Sequence, residues 1–162
     1  MRNFQCGILE FQPVRGVFEK TSGTVTFDQA NVDKTSIDAT IDTKSVNTRV
    51  QMRDNDLRSP HFLDATKYPT ITFKSTHTEA AGAGKLRVTG DLTLHGVTKQ
   101  VVLDVEGSSQ AIPDPMSRTN LRMGANATTR INRNDFGITT MPGIVGDEIE
   151  IVLDVEMTRP VK

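Results

Sequence analysis

Three histidines, His61, His77 and His95, are where metal or general-base chemistry would first be sought, and their spacing favours neither. None forms a His-Glu-x-x-His or His-x-His pair, so a metal site would need His61 and His77 to converge with a carboxylate from distant strands. Structural or solvated histidines are the simpler reading. Ser59 and Ser75 have no Gly-x-Ser-x-Gly context and no neighbouring base, and Gly82, Gly84 and Gly90 precede no helix that would bind phosphate. Cys6 is the single cysteine, which excludes an intrachain disulfide and a Cys-based metal knuckle. Asn126-Ala-Thr128 fits a glycosylation sequon but falls in an alternating segment, where chance explains it. No catalytic residue, metal ligand or cofactor is assigned. The most polar cluster is Arg49, Arg53, Asp54, Asp56 and Arg58. Its plain reading is a solvated helix face whose ion pairs contribute about 0.3 kcal/mol each. Its functional reading is an arginine at a cavity mouth meeting an anionic head group.

The 162 residues suit one domain, 1–162, long enough to bury a core or to wrap one around a ligand. The 21 threonines and 15 valines outweigh the aromatic residues, with one Tyr and no Trp, which favours strands. With 19 basic and 20 acidic residues the net charge is −1, and neither sign forms a run that fits nucleic acid or a membrane surface. The first ten residues contain no apolar run of signal-peptide length, and no transmembrane span is present in the sequence.

Apolar and polar residues alternate with a period of two in segment after segment. Ser36 to Asp42 puts Ile37, Ala39 and Ile41 on one face, and Glu148 to Glu156 does the same with Ile149, Ile151, Leu153 and Val155. Thr70 to Ser75 alternates around Ile71 and Phe73, and Arg122 to Ile131 around Ala125 and Ala127. With His95-Gly96 as a two-residue type I′ turn, Leu94 faces Val97, Gly90 faces Val101, Val88 faces Leu103 and Leu86 faces Val105. The same register sets Arg87 beside Asp104 and Lys85 beside Glu106, so a shift of one residue would scramble both sets. Adding Val14 to Phe18 and Thr24 to Phe27 gives seven or eight strands. Residues 47–59 are rich in helix formers, with Val50, Asp54 and Leu57 on one face and Pro60 as the stop, and are read as a short helix across an open end. The expected fold class is all-β, an extended antiparallel β-barrel of lipocalin-like shape. The small side chains at Ala39, Gly90, Ala125 and Ala127 point to a cavity rather than a self-filled core.

Four blocks carry a resemblance. Leu57-Arg-Ser-Pro-His-Phe-Leu-Asp64, Lys67-Tyr-Pro-Thr-Ile-Thr-Phe-Lys74, Gly90-Asp-Leu-Thr-Leu-His-Gly-Val-Thr-Lys99 and Ile131-Asn-Arg-Asn-Asp-Phe-Gly137, with a closing Gly146-Asp-Glu-Ile, resemble the YceI-like family of bacterial lipid-binding proteins, in that family's order. The resemblance runs from about Val14 to Glu156. It implies a lumen that holds a long isoprenoid, quinone or fatty-acyl chain without catalysis, and a periplasmic or secreted location, the alternative being cytoplasmic. The family's opening strand is matched only near its end. That leaves edges near Val14 and Glu156 and an expected homodimer, unless Met1 to Glu10 folds back over the gap.

The expected ligand lining is Ile37, Ala39, Ile41, Ile71, Phe73, Leu86, Val88, Leu92, Leu94, Leu103, Ala125, Ala127, Ile151 and Leu153, with Phe62 and Tyr68 at the mouth and Met141-Pro-Gly-Ile-Val145 as a lid. Partners are an isoprenoid or other lipid, with no nucleic acid and no stable membrane insertion. Two rivals remain: a calycin-like enzyme using Ser75 or His77, the inward polar residues by alternation, and a structural β domain with a filled core.

Overall fold

A computed structural model describes residues 2–8, 12–28, 30–107, 112–117 and 119–160. Among these the strands are β1 (Arg2–Ile8), β2 (Gln12–Phe18), β3 (Thr21–Thr26), β4 (Ser36–Asp42), β5 (Val46–Asn47), β6 (Thr70–Ala80), β7 (Lys85–Leu94), β8 (Val97–Glu106), β9 (Ile112–Pro113), β10 (Asn120–Asn132) and β11 (Val145–Pro160). One helix, α1 (Gln51–Arg58), and short 3-10 turns complete them. All eleven strands form a single sheet ordered β3-β4-β6-β7-β8-β10-β11-β1-β2-β5, with β9 beside β10. Every pairing is antiparallel.

The β7–β8 hairpin has the register that its sequence dictates, from Leu94↔Val97 through Gly90↔Val101 to Lys85↔Glu106. His95 and Gly96 carry φ values of 53° and 75°, as a type I′ turn requires. The wet face holds the charge pairs: Lys85 Nζ lies 2.6 Å from Glu106 Oε1, and Arg87 Nε 3.8 Å from Asp104 Oδ1.

β2 and β3 stand at opposite ends of the strand order yet are separated in sequence only by Glu19 and Lys20. Their backbone groups continue the ladder: Asp42 N–H donates to Lys20 O at 2.9 Å and Glu19 N–H to Ser45 O at 3.1 Å. With Thr21↔Ile41 on one side of this link and Phe18↔Val46 on the other, one extended run, 12–26, faces β4 and β5 along its second half and β1 along its first. β1 lies between β2 and β11, so the N-terminal segment covers the edges expected near Val14 and along β11 as far as Leu153. Beyond Leu153 the described neighbour of β11 is β10.

Antiparallel alternation gathers Asp42, Thr70, the His95-Gly96 turn, Asn132 and Val145 at one end of the sheet. α1 and the segment between β10 and β11 lie across that end. The helix is shorter than the expected 47–59. It begins where Asp54, buried, accepts from both the backbone N–H and the hydroxyl of Thr48, at 2.8 and 2.5 Å. It ends at Ser59, whose hydroxyl donates to Asp56 O at 2.7 Å and whose extended backbone precedes Pro60. Val50, expected on the inner face, is exposed.

Two readings from strict alternation fail locally. β6 shifts register between Ser75 and His77, so the inward side chain past the shift is Thr78, fully buried and donating to Thr35 O at 2.9 Å, while His77 is exposed beside Glu79. Gly90 leaves no open room: a Cβ there would sit 2.4 Å from Phe73 Cζ, so the Phe73 ring occupies the space.

Candidate functional site

The inner faces of the strands enclose a cavity of about 520 Å3, within the roughly 300–1,000 Å3 common for small-molecule sites. Twelve of the residues expected on the lining are there: Ile37, Ala39, Ile41, Phe62, Ile71, Phe73, Leu92, Leu94, Leu103, Ala127, Ile151 and Leu153. Four are not on it. Val88 is fully buried in the core, Leu86 packs half-buried against that core, and Ala125 stands further along β10, opposite Val155. Tyr68 serves the hairpin turn instead, its ring 4.7 Å from that of His95 and over the site where Gly96 lacks a side chain. Phe62 reaches the lining because the loop after α1 turns it inward, held by Phe62 N–H to Ser59 O at 3.1 Å.

Sequence reasoning missed Phe18, Val46, Leu57, Leu63, Val101, Ile131, Ile138 and Val145 on this wall, and above all Arg133. Arg133 is 2% exposed and spends its guanidinium on one loop. Nη1 donates to Ile138 O and Thr140 O at 2.8 and 2.7 Å, Nη2 to Val145 O and Asp147 Oδ1 at 3.0 Å each, and Nε to Gly146 O at 3.1 Å. The expected lid, Met141 to Val145, is thereby tied down from below. Thr140 Oγ1 also donates to His61 O, joining it to the loop after α1. The lone arginine inside the block Ile131 to Gly137 was the available signal.

The helix arginines face their own scaffold and are not on the cavity lining. Arg53 donates to the Thr48 hydroxyl and Thr48 O at 2.8 and 3.0 Å, and Arg58 to Lys44 O and Val46 O at 2.8 and 2.6 Å. They fasten the helix rather than offering a head-group site.

The cavity's chemistry is mostly apolar. Asp38 and Glu156 touch its rim but are exposed, and no His or Cys is among the described residues that line it. Thr21 is on the lining, and its Oγ1 is buried with no hydrogen-bond partner among the described residues. Ser75, the rival nucleophile, has its hydroxyl oxygen accepting from Ile37 N–H at 2.8 Å, where it extends the ladder. No group of three metal-ligating side chains occurs among the described residues. The groups whose titration is displaced also lie elsewhere. Hydrogen bonds from the Asn31 side chain and from the Asn31 and Ala30 backbone lower Asp28, while Tyr68 raises Lys67 and Glu106 raises Lys85.

A single antiparallel sheet with a mostly apolar cavity on its inner face, and one short helix across its end, defines the class: an all-β protein with an internal apolar cavity. The YceI-like domain pattern matches residues 3–157, and the chain belongs to the YceI-like family. It is 39% identical over 154 residues to Protein YceI of Salmonella newport, covering 95% of this chain and 78% of that protein. A UPF0312 protein of Vibrio cholerae is 41% identical over 141 residues, 86% of this chain and 72% of its own length. Among solved structures, BcnA of Burkholderia cenocepacia superposes with a TM-score of 0.87 at 27% identity, covering 96% of this chain and 94% of that one. A polyisoprenoid binding domain from Saccharophagus degradans shares the fold, with a TM-score of 0.66 at 17% identity over 99% of this chain and 93% of its own.

Proposed function

We propose that the sheet closes on itself through the shared run 12–26 as a lipocalin-like barrel, and that its cavity carries a long-chain apolar ligand of isoprenoid, quinone or fatty-acyl type without chemical change. The observation that carries this reading is the cavity wall itself: branched aliphatic and phenyl side chains from most strands converge on a space of about 520 Å3. Burying ten methylenes there contributes about 8 kcal/mol at ~0.8 each. That amount corresponds to a Kd of about 1 μM before ordering costs, which longer chains offset. A methylene chain offers few features to read, so such a wall selects width and length more than identity. The shared fold of the polyisoprenoid binding domain from Saccharophagus degradans supports the isoprenoid choice. Among the described residues no helix is long and apolar enough to cross a membrane. The periplasm is the proposed compartment.

Organic extraction of purified protein followed by mass spectrometry, together with titration of prenyl and acyl probes, tests the carrier reading. A retained long-chain lipid or saturable probe binding is expected. An empty extract combined with no probe binding would sink it.

A further inference from the structure

The wall opens where β8 and β10 part. These strands pair over three positions only, Asn126↔Glu106, Ala127↔Val105 and Thr128↔Asp104. Between Val97–Leu103 on one side and Thr129–Asn132 on the other no ladder forms, and a cleft of about 700 Å3 occupies the parting. Val101, Thr129 and Ile131 line both this cleft and the inner cavity, so the two share a partition three side chains wide.

Lys99 stands at that partition. It lies opposite Leu92, a cavity-lining residue, and therefore belongs to the inner face of β8. Yet it is exposed, because β10 does not run beside it, and its ammonium group has no ion pair or hydrogen bond among the described residues. A cation placed by strand geometry on an otherwise apolar face, at a hole in that face, is suited to receive the polar end of a guest whose tail lies inside.

The surrounding charge sets the kind of polar end. Asp104, Asp135 and Glu150 line the cleft with Lys99 and Arg130; Arg130 is already held at 3.5 and 3.3 Å by Glu148 and Glu150, and Arg87 lies 3.8 Å from Asp104 on the wet face. A phosphate would enter among three carboxylates with one unengaged cation to meet it. A hydroxyl or carbonyl oxygen can instead accept from Lys99, with Gln100 and the Thr128 and Thr129 hydroxyls within the same cleft.

Resting on the carrier reading above, we propose that the β8–β10 cleft is the head-group site: the ligand is an amphiphile whose apolar tail fills the cavity and whose uncharged, oxygen-bearing head passes Val101 and Thr129 to bond Lys99.

Three probes of one prenyl tail, as hydrocarbon, alcohol and monophosphate, are titrated by displacement of a fluorescent acyl chain from wild type and Lys99→Met. The alcohol is expected to lose about tenfold in affinity on Lys99→Met, the loss of one charge-assisted hydrogen bond, while the hydrocarbon is unchanged. A photoreactive group on the alcohol end is expected to label 99–104 and 128–135. An alcohol indifferent to Lys99→Met, a phosphate bound more tightly than the alcohol, or labelling confined to Phe62, Leu63 and Val145 would overturn the head-group site. Failure of all three tails to bind wild type would instead overturn the carrier reading beneath it.

Discussion

At the scale of single residues, two positions have tasks that no other side chain performs. Gly96 has φ of 75°, and a Cβ there would lie 2.4 Å from Tyr68 Cε1. Gly96→Val meets both the left-handed backbone, which costs a β-branched residue about 1–3 kcal/mol, and a ring that packs on His95. Chemical denaturation is expected to show a loss of at least about 2 kcal/mol. An unchanged midpoint would remove the turn from residues 95 and 96. Arg133 binds four backbone carbonyls and a carboxylate. Arg133→Met keeps the bulk and leaves those oxygens to find other donors, at about 1–3 kcal/mol for each that fails. Stability should fall by about 3 kcal/mol or more, and amide exchange should rise first in 138–147. Exchange that rises uniformly instead would show that the arginine supports the whole sheet and not the loop.

At the scale of elements, the inner face of β10 decides between a cavity and a core. Ala127 is 4% exposed and lies on the cavity lining beside Leu103 and Leu153. Ala127→Trp is expected to fill the space and abolish probe binding while costing stability less than the roughly 1–3 kcal/mol or more of an overpacked core. A loss of several kcal/mol with probe binding intact in the folded fraction would place Ala127 in a packed core. β7 supplies the contrast. Gly90→Val has no free volume to enter, since Phe73 Cζ and Lys74 O lie 2.4 and 2.6 Å from the new Cβ. Thermal unfolding should therefore report a clear loss for Gly90→Val, and near-wild-type stability would show that Phe73 can swing into the cavity.

At the scale of the whole molecule, the remaining question is where the sheet still offers unpaired backbone. Pairing of β11 with β1 stops at Leu153, and β3 pairs only with β4 among the described residues. Partly unpaired strands of this kind favour edge-to-edge association. Sedimentation over a wide concentration range is expected to show a homodimer at high concentration, with protection of amides in 154–158 that is lost on dilution. A monomer at all concentrations with those amides already protected would mean that the edges are covered within one chain.

The sequence by itself determined what is local. The hairpin register followed from a two-residue turn and a period-two pattern, because each cross-strand partner is set by its distance from the turn. The alternating faces of β4, β10 and β11 put six of the seven residues expected on those strands on the cavity wall for the same reason. Tertiary structure decided the rest. One inserted residue in β6 reversed the face of His77, and the Phe73 ring filled the place of Gly90, neither of which alternation encodes. The burial of Arg133 depended on a loop folding back onto it across up to 14 residues, and the exposure of Lys99 on an inner face depended on β8 and β10 parting. Pattern reports which face a side chain takes. Only the packing of distant strands sets what that face meets.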